Sequence, residues 1–390
     1  MAKDLSTENV AVDRSVLVVI VQDSTKRPWF VGPLLVLATA AISSAAAVTK
    51  LMDGAAPISK AGWRLQATAL LLLPGFLWQW CRQSLMERSQ FTQIHTLFLL
   101  AVSSLSLSFH FGLWVWSLDY TSLPHSLLLV SMPPIILALY ACCKRQPLST
   151  GETMGVALGV LGAVVMAAGS YVENDTEVTL AGDLAAFLSA AAFAVHITAG
   201  SHLREWMPLY VYVFPITAGA ALFLGFAGIV IEGFLQSSFG RVSGPFSWFK
   251  QEFLFPNLFL AIGPGFVGHT GFSAVLRYVS PLLVAMAITL EPVFGSAIAW
   301  ATNVSPAPGL WTCLGGALLL CGTIWVNLAS EKRKHKEMVN TDLNTDSTPP
   351  YISRTDDFGT IKDSHTIDKE DGSYLEESLL TPFEQHKEEV

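Results

Sequence analysis

Charge is what this 390-residue chain has least of. Asp, Glu, Lys and Arg make up 14% of it, against 52% hydrophobic residues. A soluble domain carries about 25% charged residues, which keep its surface in water. The deficit excludes an ordinary soluble protein and makes lipid the main solvent. It is also uneven: residues 340–390 hold 13 acidic and 4 basic residues, a net of −9, while the whole chain is −8, so residues 1–339 carry only +1. The acidity belongs to the tail and does not argue for a basic ligand. No basic stripe points to nucleic acid.

Cysteine is scarce as well. The five cysteines form no CxxC pair, which excludes a zinc ribbon and gives no sign of a disulfide framework. Cys313 and Cys321 read as small buried apolar residues, and Cys142-Cys143, just before Lys144-Arg145, stand where palmitoylation acts. Residues 1–28 contain Asp4, Glu8, Asp13 and Asp23 and only a short apolar run, so they do not read as a secretory signal; the first span takes that role. No P-loop, HExxH or Ser-His-Asp order is present, so neither an ATP-driven pump nor an intramembrane enzyme is expected, and no cofactor or metal. Gly263–Gly268 matches GxGxxG, but it lies in an apolar helix with no preceding strand, where its glycines let helices approach or flex.

What the chain does have is long apolar runs. A span needs about 20 mainly apolar residues. Ten stretches qualify: 29–49, 57–80, 94–117, 121–143, 153–171, 182–203, 207–231, 255–276, 280–301 and 309–329. The fold class is therefore an all-α polytopic membrane protein. The longest connection, 232–254, carries Phe246, Trp248 and Phe249 and is expected to lie on the membrane surface. With the N-terminus in the cytosol, the inner connections hold twelve Lys and Arg against five outside, so both termini are expected to be cytosolic. Whether the membrane is the plasma membrane or an internal one stays open. Asn174-Asp175-Thr176 is a glycosylation sequon on the outer side. The segment beyond residue 330 is expected to be a disordered acidic cytosolic tail.

An internal repeat organises the spans. Tyr120, Ser122 and Pro134 recur as Tyr278, Ser280 and Pro292 at an offset of 158, and Gly155 and Gly162 recur as Gly315 and Gly322 at an offset of 160. Each copy holds five spans. An odd number forces the two copies into opposite orientations, the inverted-repeat plan that places a substrate site between the halves. The halves are 29–171 and 182–329, with 1–28 as a cytosolic N-terminal segment.

At these residues the sequence resembles a known family. Tyr278-Val279-Ser280-Pro281, then Glu291-Pro292-Val293-Phe294 and Gly315…Gly322, look like the second half of the drug/metabolite transporter superfamily, in particular its EamA-type members. Trp63-Arg64 resembles the aromatic-Arg pair that opens their second helix. The resemblance covers about residues 29–329. It departs at Pro133, which stands where the second half has Glu291, and at Thr302–Pro308, which lacks a Gly-Glu pair. It implies a ten-helix secondary carrier or facilitator for small metabolites such as amino acids, with a nucleotide-sugar or sugar-phosphate carrier as the variant.

Intramembrane charge carries a functional hypothesis by default. Glu291 is the sharpest case, followed by Arg64 and by Lys50 at the end of the first span. His110, His196 and His269 lie inside spans. Ser103, Ser106, His110, Trp114 and Ser117 share one helix face, and Ser273 follows His269 by four. These residues are candidates for the substrate cavity, lined from spans 1, 3, 4, 6, 8 and 9; interhelical hydrogen bonding and packing are the plainer roles. Pro134 and Pro292 are candidate hinges. Gly151, Gly155, Gly159, Gly162, Gly315 and Gly322 read as packing positions, joining helices within one chain or in a homodimer. The partners expected are a small-molecule substrate and the bilayer. A reading from another class is a receptor or scaffold that signals through the acidic tail.

Overall fold

The structure is a computed structural model. It describes residues 28–145, 148–173, 177–204, 206–233, 241–275 and 287–346. The chain divides into two units, Met1–Asn340 and Thr341–Val390, and the first is described here. Tyr278, Ser280 and Asn174 lie outside the described residues, as does the tail beyond 346.

Among the described residues the protein is all helix, with one isolated bridge between Ala55 and Val242. In chain order the helices are α1 Val31–Ser43, α2 Ala45–Lys50, α3 Pro57–Arg82, α4 Leu85–Phe91, α5 Ile94–Tyr120, α6 Leu123–Val130, α7 Pro133–Cys143, α8 Thr150–Glu173, α9 Leu180–Arg204, α10 Leu209–Ala227, α11 Gln251–Leu260, α12 Gly271–Val275, α13 Glu291–Ala301 and α14 Leu310–Asp346. A π-helical turn, Gly228–Glu232, extends α10, and a π-helical segment, Ala261–Thr270, joins α11 to α12.

Seven helical stretches are long and apolar enough to cross a bilayer, or eight when α6 and α7, bent by 42° at their junction, count as one. The break there follows from the sequence. Pro133 and Pro134 supply no N–H and can continue no helix that precedes them, but they fit the first turn of a new one. Glu291 and Pro292 open α13 in the same way after a turn at Leu290. Glu291 thus stands at the start of α13, one residue after the helical residues 287–289. α3 is not among the seven: its 26 residues would reach about 39 Å, but Lys60, Arg64 and Gln66 lower its apolarity.

The packing is antiparallel and pairwise. The α5–α9 and α3–α10 contacts are the most extensive. α8 and α14 approach through glycine. A Cβ on Gly162 would lie 2.5 Å from the Gly315 carbonyl oxygen, and one on Gly155 would lie 2.9 Å from that of Gly322. Backbone meets backbone here because no side chain intervenes, the small-residue mode of membrane helix packing. Gly151, Gly155, Gly159 and Gly162 all face α14 of the same chain or, for Gly159, also Ile135. The glycine face therefore joins helices within one chain. With that face of α14 occupied, Cys313 and Cys321 point the other way and are exposed, contrary to the buried placement expected for them.

Gly263–Gly268 lies within the π segment, as a helix and not a nucleotide loop. A Cβ at Gly265 or Gly268 would strike Thr68 or Ile42, so the glycines admit α3 and α1 at close range. The connection after α10 is only partly a surface element. Phe246 and Phe249 are exposed, but Trp248 is buried and donates to the Gln66 carboxamide oxygen at 3.1 Å.

Candidate functional site

The site begins with Arg64. It sits two turns into α3, is 2% exposed, and its guanidinium carbon lies 4.7 Å from the Phe111 ring centroid and 5.6 Å from that of Trp114. α5 delivers both rings, three residues apart on one face. Cation–π attraction holds the charge there, but no carboxylate touches it: among the described residues no ion pair includes Arg64, and its Nε and Nη1 have no acceptor. Glu291, partly buried at the start of α13, is the carboxylate whose field bears on Arg64. The His269 ring, from the π segment, lies 5.7 Å from Phe111 and makes no hydrogen bond among the described residues. Arg64, Trp114, His269 and Glu291 thus come from four separate elements onto one centre.

The other two intramembrane histidines have defined partners. His110 Nδ1 meets Ser189 Oγ at 3.0 Å, and Ser189 Oγ donates to the His110 carbonyl at 2.9 Å. His196 Nδ1 meets Ser103 Oγ at 2.8 Å. The two pairs are reciprocal: seven residues along, α5 exchanges Ser for His and α9 exchanges His for Ser. They clamp α5 to α9. His110 also borders the centre through its contact with Phe111, 4.9 Å between ring centroids. Ser273 donates to the His269 carbonyl at 3.0 Å, one turn back. Lys50, partly buried, ends α2 and makes no ion pair among the described residues.

Several polar residues that sequence reasoning passed over close one end of the bundle. Asp119, at the end of α5, accepts from Lys60 Nζ at 3.2 Å and from Arg241 Nη1 at 2.5 Å. Glu232 accepts from the backbone N–H groups of Ile58 and Ser59 at 2.6 and 2.9 Å, satisfying donors that the first turn of α3 leaves open. Trp63 Nε1 donates to the Gly244 carbonyl at 2.7 Å. His125, fully buried in α6, joins Asp183 of α9 at 3.2 Å and Thr312 of α14 at 3.2 Å. At the other end Glu152, at the head of α8, pairs with Arg333 at 3.2 Å. Asp183 and Glu152, each a lone acid in the first turn of an apolar helix, gave signals that could have been found.

Long apolar helices, closely packed and arranged around a buried, unneutralised cation, define a multi-pass membrane protein with a polar centre. Residues 30–168 match the model of the EamA-like transporter family. The likeness to the drug/metabolite transporter superfamily is thereby borne out over residues 30–168, and together with the apolar helices it supports a multi-pass membrane transporter of that type. No curated protein matches. A crystal structure described only as "Crystal structure of protein" superposes with a TM-score of 0.50, at 16% identity, over 76% of this chain and 97% of its own, which is a likeness of fold alone.

Proposed function

We propose that the chain crosses the bilayer ten times as two five-helix halves of opposite orientation, 29–171 and 182–329, and carries a small organic solute by alternating access through the centre around Arg64, His110, Trp114, His269 and Glu291. Both termini lie in the cytosol, with 1–28 and the segment from 330 on that side. The connections support this plan: 51–56, 121–122 and 241–250, with the starts of α9 and α14, are tied together by Asp119, His125 and the Ala55–Val242 bridge. Alternate connections of a ten-pass chain share one side. The glycine contacts support it too. Under the offset of 160, Gly155 and Gly322 exchange with Gly315 and Gly162, so a twofold axis between α8 and α14 carries one close contact onto the other.

The single observation that carries the transport reading is Arg64 and Glu291, opposite charges on separate elements, each within the field of the other and not paired. A structural role favours direct contact, since a buried ion costs several kcal/mol unless compensated. A gap between the charges suits a group that comes and goes. Glu291 is the residue that contacts the solute or a coupled proton. The test is uptake by proteoliposomes of purified protein against a panel of amino acids, organic acids, sugar phosphates and nucleotide sugars, with and without a pH gradient. Glu291→Gln is expected to abolish or uncouple flux while the protein stays folded. Wild-type rates and pH dependence in that variant overturn the role of Glu291.

A further inference from the structure

The donors left open at the centre belong to Arg64 and Trp114. Arg64 Nε and Nη1 and Trp114 Nε1 are buried without an acceptor, in side chains 2% and 3% exposed that touch each other face to charge. Among the described residues no neighbour accepts from them. A buried donor without a partner forfeits its full desolvation cost. Water would satisfy the hydrogen bonds but not the charge. What answers both is an anion with at least two acceptor oxygens, and a planar guanidinium matches a carboxylate with two parallel N–H···O bonds.

The charge count narrows the class. Among the described residues Arg64 is the cation that bears on Glu291, so a single described cation stands there to receive an incoming anion. A phosphate monoester or a nucleoside diphosphate would bring about two further negative charges beside Glu291 with a single cation to receive them. A monocarboxylate brings one, and Arg64 takes it. Resting on the transport reading above, we propose that Arg64 and Trp114 form a head-group subsite at this centre and that the solute is an organic monocarboxylate, held by the open donors of Arg64 and of Trp114 Nε1.

Purified protein tests this with matched probes: benzoate and 3-phenylpropionate, their amides, and phenyl phosphate, each read by thermal shift and by tryptophan quenching, and then by uptake into proteoliposomes. The carboxylates are expected to raise the melting temperature and to quench; the amides and the phosphate are not. Arg64→Lys, which keeps the charge and loses the fork, is expected to weaken carboxylate binding roughly tenfold or more. Arg64→Met is expected to abolish it and to fold at least as stably, because it removes an uncompensated buried ion. The proposal is overturned if amides act like carboxylates, if the phosphate binds more tightly, if no carboxylate acts, or if Arg64→Met keeps the preference. The two readings part cleanly. Carboxylate binding that depends on Arg64 but yields no flux refutes transport and keeps the subsite. Flux of neutral solutes that carboxylates do not compete for refutes the subsite and keeps transport.

Discussion

Replacing Gly162 by alanine puts a methyl group where the structure has a wall of backbone. The added carbon would lie 2.5 Å from the Gly315 carbonyl oxygen, about 0.9 Å inside the 3.4 Å at which such contacts become ordinary, and nearer still to the Leu319 amide. Backbone cannot rotate away, so α8 and α14 must part. Overpacking costs about 1–3 kcal/mol, and a rigid wall belongs at the upper end. Alanine returns about 1 kcal/mol through helix propensity. The net expectation is a destabilisation of about 2 kcal/mol. Gly159→Ala is the internal comparison: its new carbon meets chiefly the side-chain tip of Ile135, which can change rotamer, so cost and propensity nearly cancel. Gly32→Ala meets nothing within 4 Å and should be neutral or slightly stabilising. Reversible unfolding in mixed micelles, followed by tryptophan fluorescence, gives the three midpoints. If Gly162→Ala unfolds with Gly32→Ala, the close contact of α8 with α14 is not present in the protein and the reasoning fails.

The two Ser–His clamps should each couple by about 0.6–1 kcal/mol in a double-mutant cycle, Ser103→Ala with His196→Ala and Ser189→Ala with His110→Ala. Ser103→Ala and Ser189→Ala stand two turns apart and should be additive; coupling between them equal to that within a clamp refutes the pairing. Asp119→Asn strands Lys60, whose side chain is 1% exposed, and should lower stability by about 3 kcal/mol, with much of it restored by adding Lys60→Met; an unfolding midpoint equal to the parent's removes Asp119 from its place between Lys60 and Arg241. Reporter tags inserted after Arg145 and after Val172 should face opposite sides of the bilayer in a protease-protection assay, and the same side for both ends the inverted plan.

How much of this could be read from the sequence depends on how local the physics is. Helix positions were legible: 94–117 became Ile94–Tyr120, and 182–203 became Leu180–Arg204, because apolarity is a property of each segment alone. Arg64 and Glu291 stood out because a charge in lipid is expensive wherever the chain later puts it. The glycines stood out through repetition, but not which helix they faced. Partners were not legible. Ser103 and His196 are 93 residues apart, and nothing in either neighbourhood names the other. Lys60, in the span read at 57–80, and Arg241, in the connection 232–254, gave no sign of each other and proved to share one carboxylate, because proximity across 181 residues is a product of packing. The π-helical segment at Ala261–Thr270 also escaped, since its composition does not differ from that of an α-helix with glycines.

The contacts divide into two kinds, and the division bears on how such a bundle moves. The α8–α14 approach and the α5–α9 clamps are continuous helices held backbone to backbone or by reciprocal hydrogen bonds. Packed interfaces of this kind shift as units or not at all. Two of the elements whose groups bear on Arg64 are interrupted: α13, with the turn before Glu291, and the π segment that carries His269. Each interruption leaves backbone groups outside the regular ladder, and hinges absorb their rotation at such places. Of the ties that seal the end near Asp119, the one to Arg241 is the weaker, because that side chain is 37% exposed and water can replace its partner. Lys60 has no such recourse. On the alternating-access proposal, opening at that end is expected to release the 241–250 connection from Asp119 first and to leave Lys60–Asp119 intact, so that α3 and α5 keep Arg64 against Phe111 and Trp114.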